Sequence, residues 1–195
     1  MRTRLAVTLL LTLASSAGAE TLKGECEIRF LATSTLHDFD GTGHCQPFTV
    51  EIVRGAGGGK IVPGVEIAVP VEEMDTKNGK RDKQMREMFQ NDKFPHIRGR
   101  LTNIDPEKIR QEIGNGPGAK GTVEFTLKIR EIEHTVRAAV TNLRETPERV
   151  SFDAEFPVSL KEYDLKPPTV FFGAVRVGDR VKVHATFRLA ASPPE

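Results

Sequence analysis

The sequence predicts an all-β protein. Eight antiparallel strands close into a small barrel or pack as a two-sheet sandwich, and one short helix sits between the third and fourth. Two observations carry this. Apolar residues alternate with polar ones at period two in eight separate runs, the mark of strands with one buried face. One segment, Asn78 to Phe89, breaks that pattern and carries helical spacing instead. Eight one-sided strands must hide their apolar faces together, and a sheet closed on itself does so while abolishing its edges. Alternation alone does not separate a barrel from a sandwich.

The strands follow in order. Cys26, Ile28 and Phe30 alternate with Glu27 and Arg29, and Phe48, Val50 and Ile52 with Thr49 and Glu51. Val65, Ile67, Val69 and Val71 form the third run, with Pro70 near its end, and Ile97, Gly99 and Leu101 a weaker fourth. The clearest run is the fifth, Val123, Phe125, Leu127 and Ile129, which a short turn at Glu131 to His134 joins to Val136, Ala138 and Val140. Val150, Phe152, Ala154 and Phe156 make the seventh, and Val181, Val183, Ala185, Phe187 and Leu189 the eighth.

In the helical segment Met85, Met88 and Phe89 stand at i, i+3 and i+4, which puts them on one face. Arg81, Lys83 and Arg86 fall largely elsewhere, as on a solvated face, and Pro95 stops any continuation. Such a helix could cover one mouth of a barrel. GAGGGK at Gly55 to Lys60 is a flexible hairpin loop and not a phosphate loop, because Ile61 follows Lys60 and Arg54 stands where the first glycine is required. Gly114 to Gly118 reads as a similar turn, and Pro167-Pro168 and Ser192-Pro193-Pro194 as connectors.

The N-terminus reads as an export leader. Arg2 and Arg4 precede a Leu-rich stretch, and Ala17-Gly18-Ala19 gives the small-x-small pattern of signal-peptidase cleavage. The stretch is shorter than the ~20 residues of a membrane span. Residues 1–19 are thus expected to be removed, leaving a single domain at 20–195 in the periplasm or outside the cell, with no stable membrane insertion. Without Arg2 and Arg4, 26 basic residues stand against 27 acidic ones. That balance disfavours nucleic acid, whose phosphates call for a basic excess. In an oxidising compartment the two cysteines, Cys26 and Cys45, are expected to form one structural disulfide. Cys45 is out of phase with Phe48 and Val50, which a bulge near Pro47 would reconcile.

Five histidines, His37, His44, His96, His134 and His184, show no spacing that puts two imidazoles on one metal. No metal site and no cofactor is expected, and no nucleophile motif is present. The one crowded polar cluster is L-H-D-F-D-G at Leu36 to Gly41. Its His37, Asp38 and Asp40 define the alternative function, a hydrolase or metal-dependent enzyme. The competing reading is a solvated turn whose aspartates bond their own backbone.

The order of these features resembles the YceI-like family of periplasmic, lipocalin-like proteins, across residues 22 to 190. The resemblance rests on L-H-D-F-D-G, on P-V-E-E-M-D-T-K-N-G-K-R-D at Pro70 to Asp82, on Gln84-Met85-Arg86, on F-Q-N-D-K-F-P-H-I at Phe89 to Ile97, and on Glu133-His134-Thr135-Val136. It implies an eight-stranded antiparallel barrel around an elongated apolar cavity that holds a polyisoprenoid, an isoprenoid quinone or a fatty-acid amide. Arg81-Asp82 match the family's helix-opening pair and Phe94-Pro95 its closing pair. Cys26, Cys45 and the glycine-rich loop at Gly55 to Gly59 depart from the family's general pattern.

The expected function is therefore carriage of a long-chain isoprenoid or fatty-acyl ligand, without catalysis, and a homodimer is left open. The inward candidates for ligand contact are Phe30, Val69, Phe125, Leu127, Phe152, Phe156 and Phe187 from the strands, and Met85, Met88 and Phe89 from the helix. One of the adjacent Phe171 and Phe172 joins them, taken as Phe172. The alternative is that these side chains pack together and leave the barrel solid.

Overall fold

A computed structural model describes residues 20–113, 120–167 and 176–191 of the chain. The expected leader, the Gly114 to Gly118 turn, Pro168 of the Pro167-Pro168 connector, Phe171, Phe172 and the Ser192 to Pro194 tail lie outside the described residues. Among the described residues nine strands form one antiparallel sheet: β1 (Glu20–Ser34), β2 (Phe39–His44), β3 (Phe48–Arg54), β4 (Lys60–Pro70), β5 (His96–Ile104), β6 (Gly121–Ile129), β7 (Ile132–Glu145), β8 (Arg149–Ser159) and β9 (Val177–Ala191). Neighbours in sequence pair from β3 to β9, and β9 returns to β1 along nearly its whole length, from Leu22↔Ala191 to Ser34↔Val177. The sheet is thereby closed, and the sandwich is excluded.

The barrel has eight staves although it has nine strands. β2 lies against Glu27 to Ala32 of β1, and β3 against Glu20 to Gly24, so the two are halves of one stave. Between them Glu25 and Cys26 face three residues, 45 to 47, because Glu27 pairs with His44 while Gly24 pairs with Phe48. This extra residue is the bulge that the phase of Cys45 calls for. It turns Cys45 inward, 5.3 Å from Cys26 between Cα atoms, and the two are joined in a disulfide. The Cys45 N–H also donates to the Cys26 carbonyl at 3.1 Å.

β2 carries no apolar alternation because its inward positions are Gly41 and Gly43, which is why the sequence reading passes over it. Gly41 makes room for a neighbour: a Cβ there would stand 2.2 Å from the ring of Phe30.

Two helices close the ends. α1 (Gly79–Phe89) begins at Asn78, whose side chain accepts from the backbone N–H groups of Lys80 and Arg81. It ends at Gln90, which adopts the left-handed conformation (φ 54°), five residues ahead of Pro95. Met85 and Phe89 are buried and Met88 half-buried beneath it. α2 (Pro106–Ile113), outside the single-helix expectation, caps the opposite end. Asp105 accepts from the N–H groups of Glu107 and Lys108 at 2.9 and 3.1 Å, and Pro106 opens the first turn. Gly121 of β6 lets α2 approach: a Cβ there would stand 2.8 Å from Ile113.

Candidate ligand cavity

The eight staves enclose a cavity of about 700 Å³ that runs from α1 to α2. The barrel is hollow. Its inward aromatic side chains show this by their exposure: Phe125, Phe152, Phe156 and Phe187 lie mid-strand on the inner face, yet each is only half-buried. The sequence candidates on the described chain, Phe30, Val69, Met85, Met88, Phe89, Phe125, Leu127, Phe152, Phe156 and Phe187, all stand on this wall. Two aromatic pairs stiffen it. Phe125 meets Phe156 edge-on with ring centroids 5.0 Å apart, and Phe152 stacks on Phe187 at 4.9 Å.

Among the described residues, polar side chains on the wall are confined to its two ends. At the α2 end they are Arg110 and Glu145, joined at 2.6 and 2.8 Å. Arg110 also bonds Glu107, and the two carboxylates, Glu145 foremost, hold its guanidinium further into the charged form. Ile109, one turn along from Asp105, closes the floor beside Ile104. These α2 residues escape the sequence reading, although Asp105-Pro106 followed by apolar positions 109 and 113 is the signal of a capped amphipathic helix.

At the α1 end the wall carries Ser34, His37, Asn78, Lys80, Arg81 and Gln84. Arg81 is not part of a solvated face: it is half-buried, donates to the Thr76 hydroxyl at 3.0 Å, and stacks over the Phe39 ring at 4.2 Å. Asp82 is buried and accepts from the Thr76 hydroxyl (2.6 Å) and backbone N–H (2.9 Å). The Arg81-Asp82 pair thus clamps the loop before α1, and Asp75 of that loop exchanges two backbone hydrogen bonds with Thr42 of β2. Beneath the same end Tyr163 is 1% exposed, and its hydroxyl donates to the Leu127 carbonyl at 3.3 Å.

The polar cluster of the alternative reading does not converge. Asp38 accepts from the Ser34 backbone N–H at 3.2 Å, while Asp40 pairs with Arg29 at 3.0 Å, a bond that lowers its carboxyl pKa. Ser34 and His37 are adjacent on the wall, but the Ser34 hydroxyl donates to the His37 main-chain carbonyl (2.6 Å), which keeps its proton from the imidazole. No three His, Cys, Asp or Glu side chains group as metal ligands among the described residues. No helix among them is long and apolar enough to cross a membrane.

A closed antiparallel barrel with a hollow apolar interior and a helix at each end defines the class, that of the lipocalin-like barrels. The chain belongs to the YceI-like domain family, whose sequence profile matches residues 17–189. No curated protein sequence matches it. Among solved structures it is similar to a polyisoprenoid binding domain from Saccharophagus degradans implicated in plant cell wall breakdown. That likeness has 12% identity and a TM-score of 0.59, covering 87% of this chain and 98% of that one. BcnA of Burkholderia cenocepacia is similar at 13% identity and a TM-score of 0.58, covering 84% of this chain and 95% of that one.

Proposed function

We propose that this protein is a carrier that holds a long-chain apolar ligand, such as a polyisoprenoid, an isoprenoid quinone or a fatty-acyl chain, inside the barrel. One observation carries the reading: among the described residues no polar side chain lies on the wall in the middle of the 700 Å³ cavity. A polar ligand body there would lose its hydrogen bonds to water and regain none, at a cost of roughly 2–7 kcal/mol per group. A hydrocarbon chain gains instead, by about 0.8 kcal/mol for each methylene it buries. At roughly 30 Å³ per water-sized group, the cavity has room for on the order of twenty chain carbons. The polyisoprenoid-binding neighbour agrees with this class of ligand.

The wall residues Phe30, Val69, Met85, Met88, Phe89, Phe125, Leu127, Phe152, Phe156 and Phe187 are the proposed ligand contacts. Removal of residues 1–19 and residence in the periplasm or outside the cell complete the reading, and an oxidising compartment suits the disulfide. Displacement of a fluorescent apolar probe by fatty alcohols of increasing length tests the carrier function. Affinity should rise with length and then level off once the cavity is full. Leu127→Met nearly conserves volume, so it should retain the fold while moving that plateau. Affinity independent of chain length would contradict the proposal. Intact mass of the exported protein should correspond to a chain beginning at Glu20.

A further inference from the structure

The two ends of the cavity differ in charge. At the α2 end Arg110 is matched by Glu145 on the wall and by Glu107 beside it. At the α1 end the wall holds, among the described residues, two cations, Lys80 and Arg81, and no carboxylate. Nearby acidic groups are engaged elsewhere: Asp40 pairs with Arg29, Glu72 with Arg86, and Asp82 turns to Thr76. Neither Lys80 nor Arg81 has an ion-pair partner within 4.0 Å among the described residues.

Arg81 is also held in place. Thr76 takes two of its N–H donors, through the hydroxyl and the carbonyl, and Phe39 supports its plane. A guanidinium has five such donors in a rigid fork, so three remain for an acceptor at the mouth. Asn78 and Gln84 stand on the same rim and add neutral amides.

We propose that the α1 mouth receives the anionic head of an amphiphilic ligand, a carboxylate or a phosphate ester, on Lys80 and Arg81, so that the chain lies with its tail toward α2. This rests on the carrier reading and adds to it a head-group chemistry and a direction. A neutral head would leave both cations to water and gain nothing from them. An anionic one forms charge-assisted hydrogen bonds, about twice as strong as neutral ones.

The test compares three ligands of one chain length, hexadecanoate, hexadecyl phosphate and hexadecanol, each by displacement of the same apolar probe. At least one anion should bind the wild-type protein about tenfold more tightly than the alcohol, and the tighter of the two names the head group. Added salt should shrink that preference. Lys80→Glu, at an exposed position on the rim, should abolish it, read as the ratio of anion to hexadecanol affinity in the same variant. Arg81→Lys keeps the charge and should preserve part of the preference that Arg81→Gln loses, with melting curves confirming that both are folded. Equal binding of all three ligands overturns the head-group proposal and leaves the carrier reading standing, as does a preference untouched by Lys80→Glu. If none of the three displaces the probe, the carrier reading itself fails.

Discussion

Tyr163 and the two cysteines show how single residues hold a hollow barrel together. Without a solid core, stability depends on the packing at the α1 end and on covalent closure of the β2–β3 bulge. Tyr163 packs edge-on against His134 with ring centroids 5.0 Å apart, and burial, helped by Glu162, pushes its hydroxyl pKa up to about 12. Ionisation is therefore resisted in the fold and permitted in the unfolded chain, whose tyrosine titrates near pH 10. The unfolded state loses its proton first, so stability should fall as pH rises from about 10 to about 12. Tyr163→Phe should remove that alkaline slope at a cost of about 1 kcal/mol, the value of one hydrogen bond. Tyr163→Ala should cost ~3–5 kcal/mol through lost packing. Urea unfolding at a series of pH values measures both. The same measurement with and without a reductant should assign ~3 kcal/mol to the Cys26–Cys45 bond, as expected for a loop of this length.

At the scale of elements, eight staves were legible because each alternates apolar and polar residues, as Val123 to Ile129 does most clearly. β2 was not, because Gly41 and Gly43 replace apolar side chains where the ring of Phe30 needs the space. The signals for α2 were present in Asp105-Pro106 and in Ile109 and Ile113, but a helix of eight residues gives only one repeat of its spacing. Arg81 departs from the solvated face for a different reason. It stands four residues before Met85, on the same helical face, and the loop at Thr76 folds back to meet it, a tertiary contact that spacing alone does not show. α2 forms the floor of the cavity, so its seat on β6 is testable. Gly121→Ala drives a methyl group into Ile113 and within 3.3 Å of the Ile109 carbonyl. Displacing the helix should cost ~1–3 kcal/mol and loosen the floor, lengthening the chain the cavity accepts. Thermal unfolding and chain-length profiles should change together. An unchanged profile would show that α2 does not limit the cavity.

For the whole molecule, closure of β9 onto β1 and the hollow interior are one fact seen twice. A sheet of eight staves encloses either packed side chains or one ligand. Alternation identified which residues face inward, but it could not say whether they meet across the middle. That depends on barrel width and on where small residues such as Ala138, Ala154 and Ala185 face the axis, and the structure resolves it in favour of a cavity. A long apolar chain is proposed to occupy this space. Native mass spectrometry of the gently purified protein, with organic extraction of the same sample, tests it most directly. An adduct of one ligand per barrel is expected, recovered in the extract as a long-chain lipid. Phe125→Asp should lose that adduct while its circular dichroism stays that of a folded β-sheet protein. A wild-type protein that carries no lipid, and takes up none when offered a mixed lipid extract, would contradict the claim.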